Sequence, residues 1–501
     1  MVSKELIFLL SSLSPKELSR FEDFLRSPYL NTNRKLIELF LILKTYYPLF
    51  NKSKLTKENI FQELYPQKKY YDATLRNLFS DLNEAGESFL VLEAFSNDSF
   101  QKEDILLRVL KERNLTNHFV KKINRSYKKV NESDLSSSYF EKRYKLENSR
   151  LNFNIIYDKN NNKETILQRL QHISSSTKYL TLNFLMEVID RYIKTHVYAE
   201  KYNINLLPHF ISNLFKFIDV DSISSSIQEE EYRDILTLYS CLYKMNNQGD
   251  TNNIYLDYKN TYQKCSFKLS KDERAFHNSN LINYCVSKYN ELDHSYDYAN
   301  DLMIFYKELI DNTYYKTEEN QFLPSNLFRA ILVTALKLGQ NAWAEQFMNS
   351  NYLNIHFKDR DNMINLGFFL FFGYTEQYEK ALKYLNNIKL DYFVFKYDEH
   401  LMKVKVFYEL GMYEQGLCAL HSFVEFIHNN AFESSSSKEK YLNFTKYALK
   451  LFTCKLENNE NELEFLEYRL QSVDNIINKD WLVEKYRGVS KENLTLHKEL
   501  A

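Results

Sequence analysis

The sequence predicts an all-α protein, a helical-hairpin repeat array or α-solenoid with an N-terminal helical module. Three observations carry that prediction. Glycine occurs 8 times and proline 6 times in 501 residues, far below an average usage of roughly 7% and 5%, whereas a sheet-rich chain needs many turn glycines. No β-type alternation of useful length is present. Finally, one small pattern recurs: an aromatic or polar residue, a small residue three positions later, and a large apolar residue four beyond that. It reads Tyr296, Ala299, Met303; Asn341, Ala344, Met348; Tyr378, Ala381, Leu385; and Tyr413, Gly416, Leu420. The small residues stand 45, 37 and 35 positions apart, a period typical of stacked helical pairs.

Residues 1–95 read as a separate all-helical module. Pro15, Pro28, Pro48 and Pro66 cut it into helix-length segments, because proline blocks helix continuation. Ser14-Pro15-Lys16-Glu17 is a helix start with a Ser cap, proline at the first position and Glu placed for a capping box. Leu36, Leu39, Phe40 and Leu43 line a second helix, and Thr56 caps a third that runs to Leu64. Leu75, Leu78, Phe79, Leu82 and Phe89 mark a fourth stripe at helical spacing, with a short strand expected at Phe89–Leu92.

Residues 96–270 form a middle region of irregular polar helices. Stripes such as Leu180, Phe184, Val188 and Tyr192 alternate with expected loops at Tyr157–Glu164, Asp221–Ser226 and Asn246–Asn253. The repeat region spans 271–486. Gly339 and Gly411 stand at turns between paired helices, where glycine takes a left-handed conformation cheaply. Ser434–Ser437 reads as a loop before a further pair, Lys438–Leu456 and Asn461–Val473. Residues 487–501 are a polar tail.

The segments Gln377-Tyr378-Glu379-Lys380-Ala381-Leu382 and Gly411-Met412-Tyr413-Glu414-Gln415-Gly416-Leu417 resemble the tetratricopeptide-repeat family. Ala381 or Gly416 would admit the neighbouring helix closely while Phe372 or Phe407 fills the adjacent gap. The chain departs from the family's pattern at Leu332, Phe369 and Val404, where a small first-helix residue belongs. It departs again at Glu376 in place of the turn glycine and at Asn341 in place of the aromatic. The resemblance implies a concave groove that holds a peptide or partner segment, with Tyr378 and Tyr413 as packing residues.

Composition excludes several function classes. Net charge is −1, from 65 basic against 66 acidic residues, without the basic excess of a dedicated nucleic-acid or membrane-surface protein. The five cysteines are too widely spaced for a Cys-x-x-Cys pair and read as reduced, mostly buried thiols. No glycine lies between Gly86 and Gly249, and phosphate-cradling loops and nucleophile elbows need glycine. No cofactor and no catalysis are expected. The apolar run Leu6–Leu10 is shorter than a leader core of about 7–15 residues, and Leu366–Tyr374 is about half a membrane span. No membrane association is therefore expected, and the expected location is cytoplasmic.

Two local clusters retain some chemical potential. Lys121, Lys122, Arg125, Lys128 and Lys129 form the best anion or nucleic-acid patch. Cys418, His421, Glu425 and His428 are zinc-ligand types, but consecutive turns about 5.4 Å apart prevent one straight helix from bringing all four to one ion, so a solvated face is the expected reading. Residues Thr56–Glu93 also admit a helix-turn-helix with a wing, whose second helix offers Arg76 and Asn77 but also Asp81, Glu84 and Glu87. The resulting expectation is a non-enzymatic protein–protein interaction scaffold or adaptor. The alternative is a regulator that contacts nucleic acid through the module or the Lys121–Lys129 patch.

Overall fold

The computed structural model describes residues 3–50, 55–157, 162–201, 209–247, 252–290, 297–317, 320–388, 393–429, 435–457, 463–473 and 475–487. It is 81% helical without a strand among those residues, and Leu323 and Ile355 form an isolated parallel bridge. Consecutive helices pack as hairpins in an all-α solenoid arrangement. The contacts group into two compact units, Met1–Tyr255 and Leu256–Ala501.

Unit 1 opens with α1 (Lys4–Ser12), α2 (Pro15–Arg26), α3 (Arg34–Lys44), α4 (Lys57–Leu64) and α5 (Asp72–Asn97). The Ser14 capping box forms in both directions, Ser14 N to Glu17 at 2.7 Å and Glu17 N to Ser14 Oγ at 3.3 Å. Thr56 caps α4 through the Asn59 amide. The apolar run near the start lies in α1, whose Leu6 and Leu10 are fully buried in one core with Phe21, Phe40, Leu82 and Phe89. The expected strand at Phe89–Leu92 is instead the continuation of α5. Phe89 extends the helical stripe from Leu75 and places its ring 5.2 Å from Phe21, and burial of that stripe overrides the β preference of Val91.

The rest of unit 1 comprises α6 (Ser99–Glu112), α7 (Thr116–Asn131), α8 (Ser137–Tyr157), α9 (Lys163–Lys201), α10 (His209–Leu214), α11 (Val220–Ser226), α12 (Glu230–Met245) and the first residues of α13 (Asn252–Cys265). Asp221–Ser226, expected as a loop, is helical. Asp219 caps it by accepting from the Asp221 and Ser222 amides, and Ser240 donates to the Asp221 carboxylate at 2.6 Å. The α9 stripe is also displaced from expectation. Tyr192 is buried, but Leu180 and Phe184 are 44% and 42% exposed, and the buried face runs through Tyr179, Leu182, Met186 and Ile189. The expected loops at Tyr157–Glu164 and Asn246–Asn253 lie partly outside the described residues.

Unit 2 contains the remainder of α13, then α14 (Lys271–Asn290), α15 (Tyr298–Asp311), α16 (Ser325–Lys337), α17 (Asn341–Asn351), α18 (Arg360–Tyr374), α19 (Tyr378–Leu385), α20 (Phe393–Glu409), α21 (Tyr413–Asn429), α22 (Ser435–Glu457) and α23 (Leu463–Gln471). Residues 479–487 are again helical. Ser435–Ser437, expected within a loop, belong to the start of α22.

Three of its hairpin turns are stereochemical copies. Gly339, Glu376 and Gly411 take φ of 68°, 60° and 70°. The next amide in each turn closes onto the carbonyl five residues earlier: Gln340 on Ala335 at 2.9 Å, Gln377 on Phe372 and Met412 on Phe407, both at 2.8 Å. This is the left-handed helix stop that a glycine favours. Four residues on, the amides of Ala344, Ala381 and Gly416 each close the first turn of the second helix.

The small positions differ in burial. Ala344 and Ala381 are fully buried and Gly416 is buried, while Ala299 is half-buried. At Gly416 a Cβ would lie 1.9 Å from Phe452 Cε1, so α22 approaches where no side chain stands. Tyr413 packs edge-on to Tyr408 and Phe452 at 5.7 and 6.1 Å. Leu332, Phe369 and Val404, the large residues at first-helix positions, are all buried. Tyr296 lies outside the described residues.

Candidate functional site

The fold divides the Lys121–Lys129 patch between two environments. The sequence neighbourhood is poor in acids, but α6 brings Glu103 against α7. Lys122 and Lys129 donate to Glu103 Oε1 at 3.1 and 2.6 Å, and Ser126 donates to Oε2 at 2.6 Å. Burial alone would raise the Glu103 carboxyl, but these three donors outweigh it and hold the group at about 2. Lys122 and Lys129 are therefore structural cations. Lys121, Arg125 and Lys128 remain exposed on another face of α7, and Lys128 stands 4.0 Å from Glu132.

The other two sequence candidates resolve simply. Cys418, His421, Glu425 and His428 share an exposed face of α21, and no group of three or more His, Cys, Asp or Glu side chains among the described residues is placed to hold a metal ion. The wing of the helix-turn-helix reading is absent, because its residues continue α5. On α5, Arg76 pairs with Asp72 at 2.8 Å. No described helix is long and apolar enough to cross a membrane.

The most distinctive arrangement of charge lies on the inner face of unit 2. There α16, α18 and α20, the first helices of successive hairpins, touch one another in order, while α17, α19 and α21 make at most marginal contact with each other. Closer packing of the first helices puts them on the concave side. Curvature is tight enough for Arg329 on α16 to reach past α18 to Asp398 on α20. The pair is two-pronged, with Arg329 Nη2 2.6 Å from Asp398 Oδ1 and Nε bonded to Oδ2.

Around this pair stand cations without carboxylate partners among the described residues. Lys337 Nζ lies 5.6 Å from the Tyr289 ring centre, Lys405 Nζ 5.7 Å from Trp481, and Lys440 Nζ 5.3 Å from Tyr441. Lys337 is exposed to solvent although side chains crowd its ammonium group. Burial lowers its ammonium; Asp398 opposes that, and Arg329 and Lys440 add to it. Lys405 is lowered to about 8, first by burial and then by the Lys337 charge, with Glu409 and Glu484 opposing. Tyr374 of α18 completes the surface, its hydroxyl raised by burial and by Asp398. Such a site favours an entering anion, which would relieve the repulsion between neighbouring ammonium groups.

The family resemblance implied a groove in the repeats, but the sequence reading did not single out these residues. Arg329, Lys337, Lys405 and Lys440 come from three helices and lie up to 111 positions apart, so no local window gathers them. The available signal was the non-core face of the first helices, where basic and aromatic residues recur. Tyr378, expected to pack, is half-buried, and its hydroxyl is pushed up to about 12 by burial and by Glu409. No protein-family model, curated protein or solved structure matches this chain.

Proposed function

We propose that the protein is a non-enzymatic interaction scaffold, tetratricopeptide-like in its C-terminal repeats, whose unit 2 holds an acidic segment of a partner protein along its inner face. The supporting observation is the group of cations beside the Arg329–Asp398 clasp, Lys405 and Lys440 half-buried and Lys337 exposed. A repeat array supplies a long surface without a catalytic constellation. Clustered ammonium groups flanked by aromatic rings suit carboxylates, and their charge steers an acidic segment before contact. Tyr289, Tyr374 and Tyr441 add flat amphipathic area of the kind that dominates protein interfaces.

The alternative, nucleic-acid contact through the module or the basic patch, has weaker physical support because Glu103 already engages two of the five cations and α5 presents acids beside Arg76. Crosslinked capture from native lysate tests the proposal directly, using the full chain beside the K337Q/K405Q variant. Proteins that share an acidic stretch should be recovered by the wild type and lost with the variant. An identical set captured by both, or recovery dominated by nucleic acid, would contradict it.

A further inference from the structure

The outer face of α9 carries an apolar seam at coiled-coil spacing. Ile166, Leu170, Ile173, Thr177, Leu180 and Phe184 follow one another at intervals of four, three, four, three and four, the alternation that keeps a stripe facing one partner helix. Its five apolar members are 42–55% exposed, and Thr177 is exposed as well. They are not core residues that happen to show, because the buried stripe of α9 runs along another side through Leu182, Met186 and Ile189. The only two charged residues between 166 and 184 turn away from the seam. Arg169 donates to the Asn154 carbonyl on α8 at 3.2 Å, and Lys178 pairs with Glu229. The seam spans about 27 Å at a rise of 1.5 Å per residue. The Arg169–Asn154 contact places Ile155 and Ile156 of α8 level with its beginning, 55% and 52% exposed.

The charges at its ends indicate what covers it. One heptad step before Leu170 stands Lys163, exposed, and the position three after Phe184 is Glu187. Glu187 is held by Arg191 at 2.8 Å and Ser137 at 2.6 Å. We propose that the seam pairs with the same seam of a second copy of this chain, in antiparallel orientation. In that register Ile166 faces Phe184 of the other copy, Leu170 faces Leu180, and Ile173 faces Thr177. Lys163 then faces Glu187 at both ends. A parallel pair would instead set Lys163 against Lys163 and Glu187 against Glu187, which repel. No like-charged residues meet along the flanks, where Arg169 is engaged by α8 and the other positions are Leu167, Ser174, Ser176, Thr181 and Asn183. Two-fold symmetry requires a self-complementary patch of this kind, and its modest length suits a reversible dimer rather than an obligate one.

Sedimentation equilibrium of the full chain across a concentration series tests the proposal. The wild type should dimerise with a dissociation constant on the order of 10 μM, the low end for small interfaces. Leu170→Glu with Leu180→Glu should weaken dimerisation at least about 30-fold, and both positions are exposed enough for the variant to fold. Lys163→Glu alone should weaken it, and Lys163→Glu combined with Glu187→Lys should restore it, a rescue that a merely structural effect would not give. A wild type monomeric to about 100 μM, or a dimer indifferent to the leucine changes, overturns the proposal. Dimerisation without rescue by the double swap overturns the antiparallel register.

Discussion

Arg329 and Asp398 meet across an intervening helix. Their side chains start on α16 and α20, with α18 between, and join through two hydrogen bonds with exposures of 25% and 14%. Neutralising one partner strands a poorly solvated charge, so Asp398→Asn should destabilise unit 2 by about 3 kcal/mol. Replacing both with Met and Leu should cost less than either single change. Chemical denaturation of the four-member cycle measures this.

Two turn substitutions should have opposite signs. Glu376 holds φ of 60°, a conformation that costs a non-glycine residue about 1 kcal/mol, so Glu376→Gly should raise stability by about that amount. Gly416→Ala should do the reverse despite alanine's better helix propensity. The added Cβ falls 1.9 Å from the Phe452 ring, and overpacking of that kind costs about 1–3 kcal/mol. Thermal unfolding distinguishes the two.

Several helix ends were legible because local chemistry decides them. Ser14, Thr56, Gly339 and Gly411 signal helix ends without reference to anything distant. Glu376 was visible only as an exception, yet it adopts the conformation of the glycines it replaces because flanking helices impose it. What local reading could not supply was long-range. Glu103, buried on α6, engages Lys122 and Lys129 and takes them out of the anion patch. The burial of Phe89 keeps α5 helical through residues with strand character. On α9, apolar residues occupy two sides, so periodicity alone selected the exposed Leu180 and Phe184 instead of the buried Leu182 and Met186. The inner-face cations need three helices to assemble.

Glu103 provides a test of the nucleic-acid alternative. Glu103→Gln should free Lys122 and Lys129 and steepen the salt dependence of polyanion binding by about 2 in the logarithmic slope. It should also remove stability that the wild type holds at neutral pH. The folded carboxyl sits at about 2, below its unfolded value, so its contribution is complete above about pH 4.3 and lost as pH falls toward 2. Wild-type protein that already binds nucleic acid with the steeper slope would contradict this reading.

His277 should make unit 2 sensitive to mild acid. The ring is fully buried between α13 and α14, its Nδ1 2.7 Å from Tyr258 Oη, with Glu273 3.8 Å from Nε2. Burial lowers it to about 3. Because that value lies below the unfolded one near 6.5, the neutral ring contributes stability present above about pH 6.5 and lost as pH falls toward 3. The loss should reach about 3 kcal/mol by pH 4. His277→Gln should flatten that part of the stability profile, and an unchanged profile would contradict the assignment.

The most direct test of the central claim is fluorescence anisotropy of a labelled glutamate-rich peptide titrated with the full chain at low salt. Binding should saturate at pH 7 and weaken at least about tenfold in K337Q/K405Q, since each lost charge contact is worth on the order of 1 kcal/mol. It should also weaken as pH rises from 7 to 9, because Lys405 titrates at about 8 and its neutral form no longer attracts a carboxylate. Absence of saturable binding, or binding that neither the two lysines nor the pH change affects, would contradict the account.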